Sequence, residues 1–285
     1  MTQTNITTDQ LSLLSLKSQI ISDPSHLLNE NWSPVICVCH WVGVTCGSRH
    51  QRVNSLNLSN IALTGKIPRE FGNLSFLVSL DLGSNNFHGN MPQEMTRSSR
   101  LKFLDVSVNN FSRELPSWFG FLHQLQALNL GNNSFTGIIP QEIGNLVNLV
   151  DLGMEDNQIT GSVPISPLQI LSAWQNNLSG FLPWEIGLTM MQILQLSYNK
   201  LIGVTCGSRH ERVKFLNLSN MTLTGKIPCD LGNLSFLVSL DLESNNFHGN
   251  LPLEMTRLRR LKFLDLSFVN RTLFKERKAK VYNII

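Results

Sequence analysis

A leucine frame that returns at a fixed spacing is the feature that most constrains this chain of 285 residues. The stretches LVSLDLGSNNFHGNMP, LKFLDVSVNNFSRELP, LQALNLGNNSFTGIIP and LVDLGMEDNQITGSVP all fit the pattern LxxLxLxxNxLxGxxP. Their asparagines lie 24 residues apart, at Asn85, Asn109, Asn133 and Asn157. The frame continues with less regular spacing through Asn176, Asn199 and Asn245.

The LxL segment of each repeat has the pattern of a short strand. Its two leucines point to one side and the residue between them points to the other, so stacked repeats form a parallel sheet over a leucine core. A period of about 20 to 29 residues with this frame is typical of leucine-rich-repeat proteins. The sequence therefore predicts an α/β repeat fold, a right-handed leucine-rich-repeat solenoid with short 3-10 or irregular outer segments.

The asparagine that follows each strand is expected to turn inward and hydrogen-bond backbone groups. A buried backbone group without a partner costs about 1–3 kcal/mol, which such a ladder would avoid. The predicted ladder consists of Asn85, Asn109, Asn133, Asn157, Asn176, Asn199 and Asn245. Ile61, Met221 and Val269 occupy the same position in other repeats, which are therefore expected to be weaker links in the stack.

The stretch TTDQLSLLSLKSQIISDP near the start predicts one amphipathic helix. Its expected parts are Asp9 as the N-cap, an apolar face and Pro24 as the stop. The expected apolar residues are Leu11, Leu14, Ile20 and Ile21. Such a helix would cover the open end of the first repeat, which otherwise leaves core residues in water.

An internal copy divides the second half of the chain. The phrase GVTCGSRH at residues 43–50 returns at 203–210, and the similarity extends from residues 43–110 to residues 203–270. The expected organisation is a cap over 1–51, about seven repeats over 52–202, the copied block over 203–270 and a basic tail over 271–285. Because residue 203 falls on the glycine of the repeat frame, the solenoid is able to continue through the junction.

The cap and the repeats together resemble a known family. The phrase NWS…CxWxGVxC is carried by Asn31, Trp32, Ser33, Cys39, Trp41, Gly43, Val44 and Cys46, and LTGKIP occurs at residues 63–68 and 223–228. The chain thus resembles the extracellular part of plant leucine-rich-repeat receptor kinases and receptor-like proteins. The resemblance implies a Cys39–Cys46 disulfide, an extracellular or plasma-membrane location, and a peptide or protein ligand with a co-receptor.

The five cysteines leave two further hypotheses open. Cys37, Cys39, Cys46 and His50 form a competing zinc-ligand set, although their spacing is not that of a usual zinc finger. Cys206 lacks a counterpart of Cys39 in the copied block, so it is expected to be a free thiol.

Several function classes find no support in the sequence. The seven histidines are scattered, no catalytic triad or phosphate-binding loop appears, and the kinase motifs of the resembled receptors are missing. A signal peptide and a membrane-spanning run are not expected either. The net charge of +3 is mild and forms no basic stripe for nucleic acid. We therefore expect a non-catalytic chain without cofactor or metal.

Most central strand positions on the expected concave face carry small polar residues, but one group of neighbouring residues there is larger and includes acidic and aromatic side chains. It consists of Asp151, Glu155, Asp156, Trp174, Gln195 and Tyr198. Aromatic side chains supply buried area and carboxylates pair with basic ligand groups, so these residues are the candidate ligand-binding site. In the alternative interpretation Trp174 packs inward, because its repeat is shorter than its neighbours.

Glycosylation sequons are frequent, which suits a secreted glycoprotein. They occur at Asn5, Asn31, Asn57, Asn73, Asn110, Asn132, Asn177, Asn217, Asn220, Asn233 and Asn270. Glycans on Asn57 and Asn217 would shield the end repeats and leave the middle repeats open to a ligand.

The sequence thus favours a recognition module in immune or developmental signalling. The alternatives are a secreted inhibitor or scaffold similar to the polygalacturonase-inhibiting repeat proteins, and a truncated receptor-gene remnant without function.

Overall fold

The computed structural model describes residues 6–163, 168–182, 191–204, 212–267 and 269. The sequon predictions for Asn5 and Asn270, the free-thiol prediction for Cys206 and the basic tail over 271–285 fall outside these residues. Two compact units are distinguished, Met1–Thr136 with Pro140–Leu149, and Gly137–Ile139 with Val150–Ile285.

The first unit begins with two α-helices and contains short strands joined by 3-10 turns. The helices are α1 (Ile6–Ser18) and α2 (Leu27–Asn31). The strands are β1 (Ile20–Ser22), β2 (Val44–Cys46), β3 (Val53–Asn57), β4 (Thr64–Gly65), β5 (Ser79–Asp81), β6 (Asn86–Gly89), β7 (Phe103–Asp105), β8 (Asn110–Glu114), β9 (Ala127–Asn129) and β10 (Ser134–Thr136). The 3-10 helices are Val38–His40, Arg69–Asn73, Gln93–Arg97, Ser117–Phe121 and Gln141–Asn145.

Two sheets run through the repeats of the first unit. In the main sheet β3, β5, β7 and β9 are parallel, and the cap strand β2 joins β3 in antiparallel fashion. In the second sheet β4, β6, β8 and β10 are parallel, and β1 joins β4 in antiparallel fashion. Each repeat thus contributes one short strand to each sheet, as the LxL frame predicts for the main sheet.

The second unit has the same plan. Its strands are β11 (Asp151–Gly153), β12 (Thr160–Gly161), β13 (Ile170–Ser172), β14 (Asn177–Leu182), β15 (Ile193–Gln195), β16 (Lys200–Val204), β17 (Phe215–Asn217), β18 (Thr224–Gly225), β19 (Ser239–Asp241), β20 (Asn246–Phe247) and β21 (Phe263–Asp265). Its described 3-10 helices are Cys229–Asn233 and Leu253–Arg257. The parallel main sheet runs β11-β13-β15-β17-β19-β21, beside the smaller sheets β12-β14-β16 and β18-β20.

The junction of the copied block lies inside this main sheet. Strand β15 precedes the junction and β17 follows it, and they pair in parallel with Ile193, Leu194 and Gln195 opposite Phe215, Leu216 and Asn217. Strand β17 then pairs with β19 in the same register. The copied block therefore continues the repeat stack without a shift of strand register.

The core consists of leucine columns under the main sheets, with aromatic residues behind them. Leu56, Leu80, Leu104 and Leu128 are buried in consecutive strands of the first unit. The rings of Phe87, Phe111 and Phe135 stack behind them with centroid separations of 6.4 and 6.3 Å. Burial of such columns is the main stabilising term of the stack. The predicted leucine-rich-repeat fold with an N-terminal cap is confirmed.

The asparagine ladder satisfies the backbone at the turn that follows each main-sheet strand. Asn109 donates from Nδ2 to the carbonyls of Leu82, Val106 and Ser107, and its Oδ1 accepts from the Phe87 amide at 2.8 Å. The amide groups of Asn85, Asn133, Asn157, Asn176, Asn199 and Asn245 likewise donate to turn carbonyls. Each side-chain amide thus supplies the hydrogen bonds that water would supply to these carbonyls at the surface.

Several details of the predicted cap helix are wrong. The helix α1 spans Ile6–Ser18, so Asp9 lies inside it rather than at its N-cap, and Ile20 and Ile21 lie beyond its end in β1. The helix also ends well before Pro24. Its buried apolar side chains are Leu13 and Leu16, whereas Leu11 is 62% exposed.

The buried position of Asp9 explains the error. Its carboxylate accepts two hydrogen bonds from the Arg52 guanidinium, at 2.7 and 2.6 Å, and a third from the Val53 amide at 2.9 Å. Both side chains are buried, at 0% and 4% exposure. A paired carboxylate is therefore part of the face that α1 presents to the first repeat, which an apolar periodicity does not reveal.

Candidate functional site

The candidate residues lie on the solvent-facing side of the main sheet of the second unit. Strand register aligns the side chains of this face in rows that run across the strands. One row contains Gly153, Ser172 and Gln195, and the Ser172 hydroxyl donates to the Gln195 Oε1 at 3.3 Å. The next row follows the carboxyl ends of the strands and contains Glu155 and Trp174.

The structure brings four of the six candidates together at the carboxyl ends of β11, β13 and β15. The Asp156 amide donates to the Trp174 carbonyl at 2.9 Å, and the Asn176 amide to the Tyr198 carbonyl at 3.3 Å. The Gln175 Nε2 donates to the Asp156 Oδ1 at 2.8 Å. Glu155, Asp156, Trp174 and Tyr198 thus form one group, which we call the rim cluster.

The remaining two candidates are separated from the rim cluster. Asp151 begins β11, four residues before Glu155, which is about 13 Å along an extended chain. Gln195 ends β15 and is held by Ser172 in the middle of the face. A ligand that contacts all six residues would have to cross the strands and extend along them.

The backbone explains why Tyr198 is exposed. Asp156, Gln175 and Tyr198 precede ladder asparagines and adopt left-handed conformations, with φ of 53°, 54° and 56°. Such conformations are uncommon for residues other than glycine, and here the ladder hydrogen bonds hold the turn. The Tyr198 side chain is 56% exposed as a result of this placement.

Trp174 lies on the solvent-facing side and does not fill the core of its short repeat. Strand alternation places Ala173 in the inward position, where it is 0% exposed, and leaves Trp174 half-buried. The neighbouring strands pair with β13 in register on both sides. The alternative in which Trp174 packs inward is therefore wrong.

The carboxylates of this face are partly desolvated. Burial raises the pKa of Asp151. The Oε2 atom of Glu155 is buried and has no hydrogen-bond partner among the described residues. An acceptor of this kind is satisfied when a bound cation or N–H group reaches it, so the face is suited to basic groups.

Sequence reasoning missed an apolar row next to these residues. Ile170, Ile193 and Phe215 are aligned across β13, β15 and β17, directly after Asp151 in the same row. Phe215 is 44% exposed and the two isoleucines are half-buried. The signal was present in the sequence, because each residue directly precedes the second leucine of its frame and shares the face of the central position.

An acidic trio at the end of the same sheet was also missed. Carboxylate oxygens of Asp241, Glu243 and Asp265 lie within 4.8 Å of one another, close enough to hold one cation. Burial, and then repulsion by Asp265, raise the pKa of Asp241. Burial and repulsion by both aspartates raise the pKa of Glu243.

The cysteines of the cap form the disulfide that the family resemblance implies. Cys39 and Cys46 are joined with a Cα–Cα distance of 5.5 Å. This bond uses two of the four residues of the zinc hypothesis, which is therefore wrong. Cys37 and Cys229 are exposed free thiols among the described residues.

The sequons differ in exposure. Asn57, Asn110 and Asn132 are exposed, while Asn31, Asn73, Asn177, Asn217, Asn220 and Asn233 are half-buried. The amide oxygens of Asn57 and Asn217 accept hydrogen bonds from Ser59 and Ser219, their own sequon hydroxyls. Glycosylation of these residues stays a prediction.

Comparison with known proteins identifies the repeats and the cap. The family described as leucine rich repeat N-terminal domain matches residues 6–47. The leucine rich repeat families match residues 99–159, and residues 52–74 and 212–234. None of the helices in the described part of the chain is both long and apolar enough to cross a membrane.

Plant receptor kinases are among the relatives. The LRR receptor-like serine/threonine-protein kinase EFR of Arabidopsis thaliana is 45% identical over 80 residues, which are 28% of this chain and 8% of the kinase. The chain therefore spans only a small part of such relatives.

Solved ectodomains of plant receptors share the fold. The ectodomain of GASSHO1/SCHENGEN3 from Arabidopsis thaliana, solved with CASPARIAN STRIP INTEGRITY FACTOR 2, has a TM-score of 0.85 and 33% identity over 92% of this chain and 32% of that one. RGFR1, a plant peptide hormone receptor solved with RGF2, has a TM-score of 0.51 and 26% identity over 75% of this chain and 43% of that one.

Cap, repeats and solved neighbours agree: this chain carries a leucine-rich-repeat N-terminal domain and leucine-rich repeats, and it resembles the ectodomains of plant leucine-rich-repeat receptors.

Proposed function

We propose that the chain is a non-catalytic recognition module that binds a peptide or a short protein segment on the solvent-facing side of its main sheet. The observation that carries the proposal is the rim cluster, where Trp174 follows the strand next to that of the partly desolvated Glu155, and the exposed Tyr198 follows the strand after that. Aromatic residues beside acceptors provide both contact area and directional polar contacts. Immune or developmental signalling is the role we infer from the similar receptors.

The adjoining rows complete the binding surface. Asp151 begins the row that continues with the apolar residues Ile170, Ile193 and Phe215, and the polar row of Ser172 and Gln195 lies next to it. An extended peptide that crosses the strands would place alternate side chains on the apolar row and its basic groups near Asp151 and Glu155. The preferred ligand is therefore a peptide with both apolar and basic residues.

Selection from a phage-displayed library of random peptides on the full chain tests this proposal. We expect the enriched peptides to contain basic and apolar residues. Trp174→Ala and Tyr198→Ala should each weaken binding of a selected peptide by about tenfold or more, the usual effect of a central aromatic contact. The matched control is Phe103→Ala, which removes an exposed aromatic side chain from the main sheet of the first unit.

The control variant should change the affinity less than about twofold. Enriched peptides whose affinity is the same for the wild-type chain and all three variants would show that binding occurs elsewhere. An absence of enriched peptides would argue against peptide recognition by this chain.

A further inference from the structure

A small pocket lies in the first unit, between the cap loop and the first repeats. It has a volume of about 260 Å³, and its lining includes Arg49, His50, Asn54, Phe76, Val78 and Arg100. This volume is below the range of about 300–1,000 Å³ that is usual for drug-sized ligands. The pocket is therefore suited to one side chain of a larger partner.

The pocket has unbalanced positive charge. Arg52 also lines it, but the buried carboxylate of Asp9 neutralises that guanidinium. Arg49 and Arg100 are exposed, and no carboxylate within the described part of the chain forms an ion pair with either of them. No aspartate or glutamate is among the described residues that line the pocket. Two guanidinium groups thus line the pocket without a neutralising carboxylate there.

Stacking on Phe76 orients the wall of the pocket. The Arg100 guanidinium carbon lies 4.3 Å from the centroid of the Phe76 ring, and that of Arg52 lies 4.6 Å from it. The His50 ring contacts the same ring edge-on at a centroid distance of 5.4 Å. A guanidinium that stacks on an aromatic ring has lost much of its conformational freedom. Its N–H groups are therefore oriented for a bidentate hydrogen bond to an oxyanion.

The pocket wall also holds an unsatisfied acceptor. The Oδ1 atom of Asn54 is buried and has no hydrogen-bond partner among the described residues. A peptide carries N–H groups within a few bonds of each carboxylate, and one of them is able to donate to this atom. The wall therefore combines donors for a carboxylate with an acceptor for a nearby N–H group.

We propose that this pocket binds the carboxylate of an acidic residue of a partner peptide or protein. Arg100 and Arg49 contact the carboxylate, and Asn54 accepts an N–H group of the partner backbone. The site is separate from the rim cluster and is of opposite charge, so it does not depend on the function proposed above. It gives the first unit a preference for acidic segments.

Binding of the fluorescein-labelled peptide Gly-Gly-Glu-Asp-Glu-Gly-Gly to the full chain tests the proposal. We expect Arg100→Gln to weaken binding by about tenfold, because a charge-assisted bidentate contact is lost. Arg100→Lys keeps the positive charge but lacks the planar guanidinium that forms bidentate contacts. Its affinity should therefore lie between those of Arg100→Gln and the wild-type chain. Arg49→Gln should also weaken binding.

The copied block supplies the matched control. Arg260 stacks on Phe236 at 4.5 Å, as Arg100 does on Phe76, so Arg260→Gln removes an equivalent charge and stack outside the pocket. It should change the affinity by less than about twofold. The uncharged peptide Gly-Gly-Gln-Asn-Gln-Gly-Gly should not compete.

Three results would overturn the proposal. The first is an equal loss of affinity for the acidic peptide in Arg100→Gln and Arg260→Gln. The second is that the uncharged peptide binds as tightly as the acidic one. The third is displacement of the acidic peptide by an equimolar amount of inorganic phosphate. Trp174→Ala should leave binding of the acidic peptide unchanged, which separates this test from that of the rim cluster.

Discussion

The first two residues of the repeated phrase have two structures in this molecule, one in the cap and one in the copied block. In the cap, Gly43 has φ of 80°, and Val44 begins β2, which pairs with β3 in antiparallel fashion. In the copied block, Gly203 and Val204 end β16, which pairs with β14 in parallel fashion. What precedes the phrase decides the outcome, since a helical cap precedes one copy and a repeat strand precedes the other.

The comparison teaches that the repeat frame outweighs local sequence. A strand of a few residues gains most of its stability from the neighbours on which it stacks. Gly203 and Val204 therefore adopt the parallel pairing that the neighbouring strand β14 offers.

The largest difference is expected at the arginine that lies two residues after the repeated phrase in each copy. Arg52→Ala leaves the buried carboxylate of Asp9 without its partner and should lower the free energy of unfolding by about 3–5 kcal/mol. Arg212 is the equivalent residue of the copied block and is exposed. Arg212→Ala should cost no more than about 0.5 kcal/mol. Urea denaturation monitored by circular dichroism measures both, and similar costs would contradict the buried role of Arg52.

The cap disulfide should have the next largest effect. Cys39→Ser opens a short loop and should lower the free energy of unfolding by about 2–3 kcal/mol. Cys37→Ser changes an exposed free thiol in the same segment and serves as the control. Thermal unfolding should show a lower Tm for the first variant only. A Tm shift of the same size in the second would argue against the Cys39–Cys46 pairing.

The ladder should be equally important in the two copies. Asn85 and Asn245 each donate to three carbonyls, including those of Leu58 and Leu218 respectively. Replacement of either by alanine should cost about 1–3 kcal/mol, because buried carbonyls lose their donors. The adjacent residues Asn86 and Asn246 are exposed, so their alanine variants are the controls. A ladder cost in the first copy alone would show that the copied block is not built in the same way.

The smallest effect concerns the acidic trio, where the copies differ in sequence. Glu243 takes the place of Gly83, and burial and repulsion by Asp265 and Asp241 raise its pKa. A carboxyl with a raised pKa binds more protons in the folded state, so its contribution to stability falls as the pH rises from the unfolded pKa through the raised pKa.

Glu243→Gln should therefore raise the Tm slightly at pH 7. The gain in the free energy of unfolding should be less than about 1 kcal/mol, because the side chain is half-exposed. The gain should disappear below the unfolded pKa, where the carboxyl is protonated in both states. Tm measurements across the acidic pH range check this. A gain that persists at low pH would mean that charge repulsion is not its cause.

Much of the fold follows from the sequence because each repeat is specified locally. The leucines fix the inward face and the asparagines fix the turn, so neighbouring repeats need no distant information. Asp9 shows the limit of this reasoning. Its burial depends on Arg52, which is 43 residues away in sequence, and a helical periodicity does not contain that pair.

The candidate site was less predictable for a related reason. The rim cluster follows from repeat positions, but the row of Ile170, Ile193 and Phe215 joins repeats of unequal length. Only the strand register shows that these side chains are neighbours. The pocket at Phe76 likewise combines a cap loop with two repeats, a juxtaposition that the leucine frame does not encode.

Hydrogen–deuterium exchange of the full chain, with and without a peptide selected on it, tests recognition on this face. We expect added peptide to slow exchange in segments 168–182 and 191–202, which carry Trp174, Ile170, Ile193 and Tyr198. We also expect Trp174→Ala to remove this protection. Protection confined to other segments, or none at peptide concentrations that saturate binding, would contradict recognition on this face.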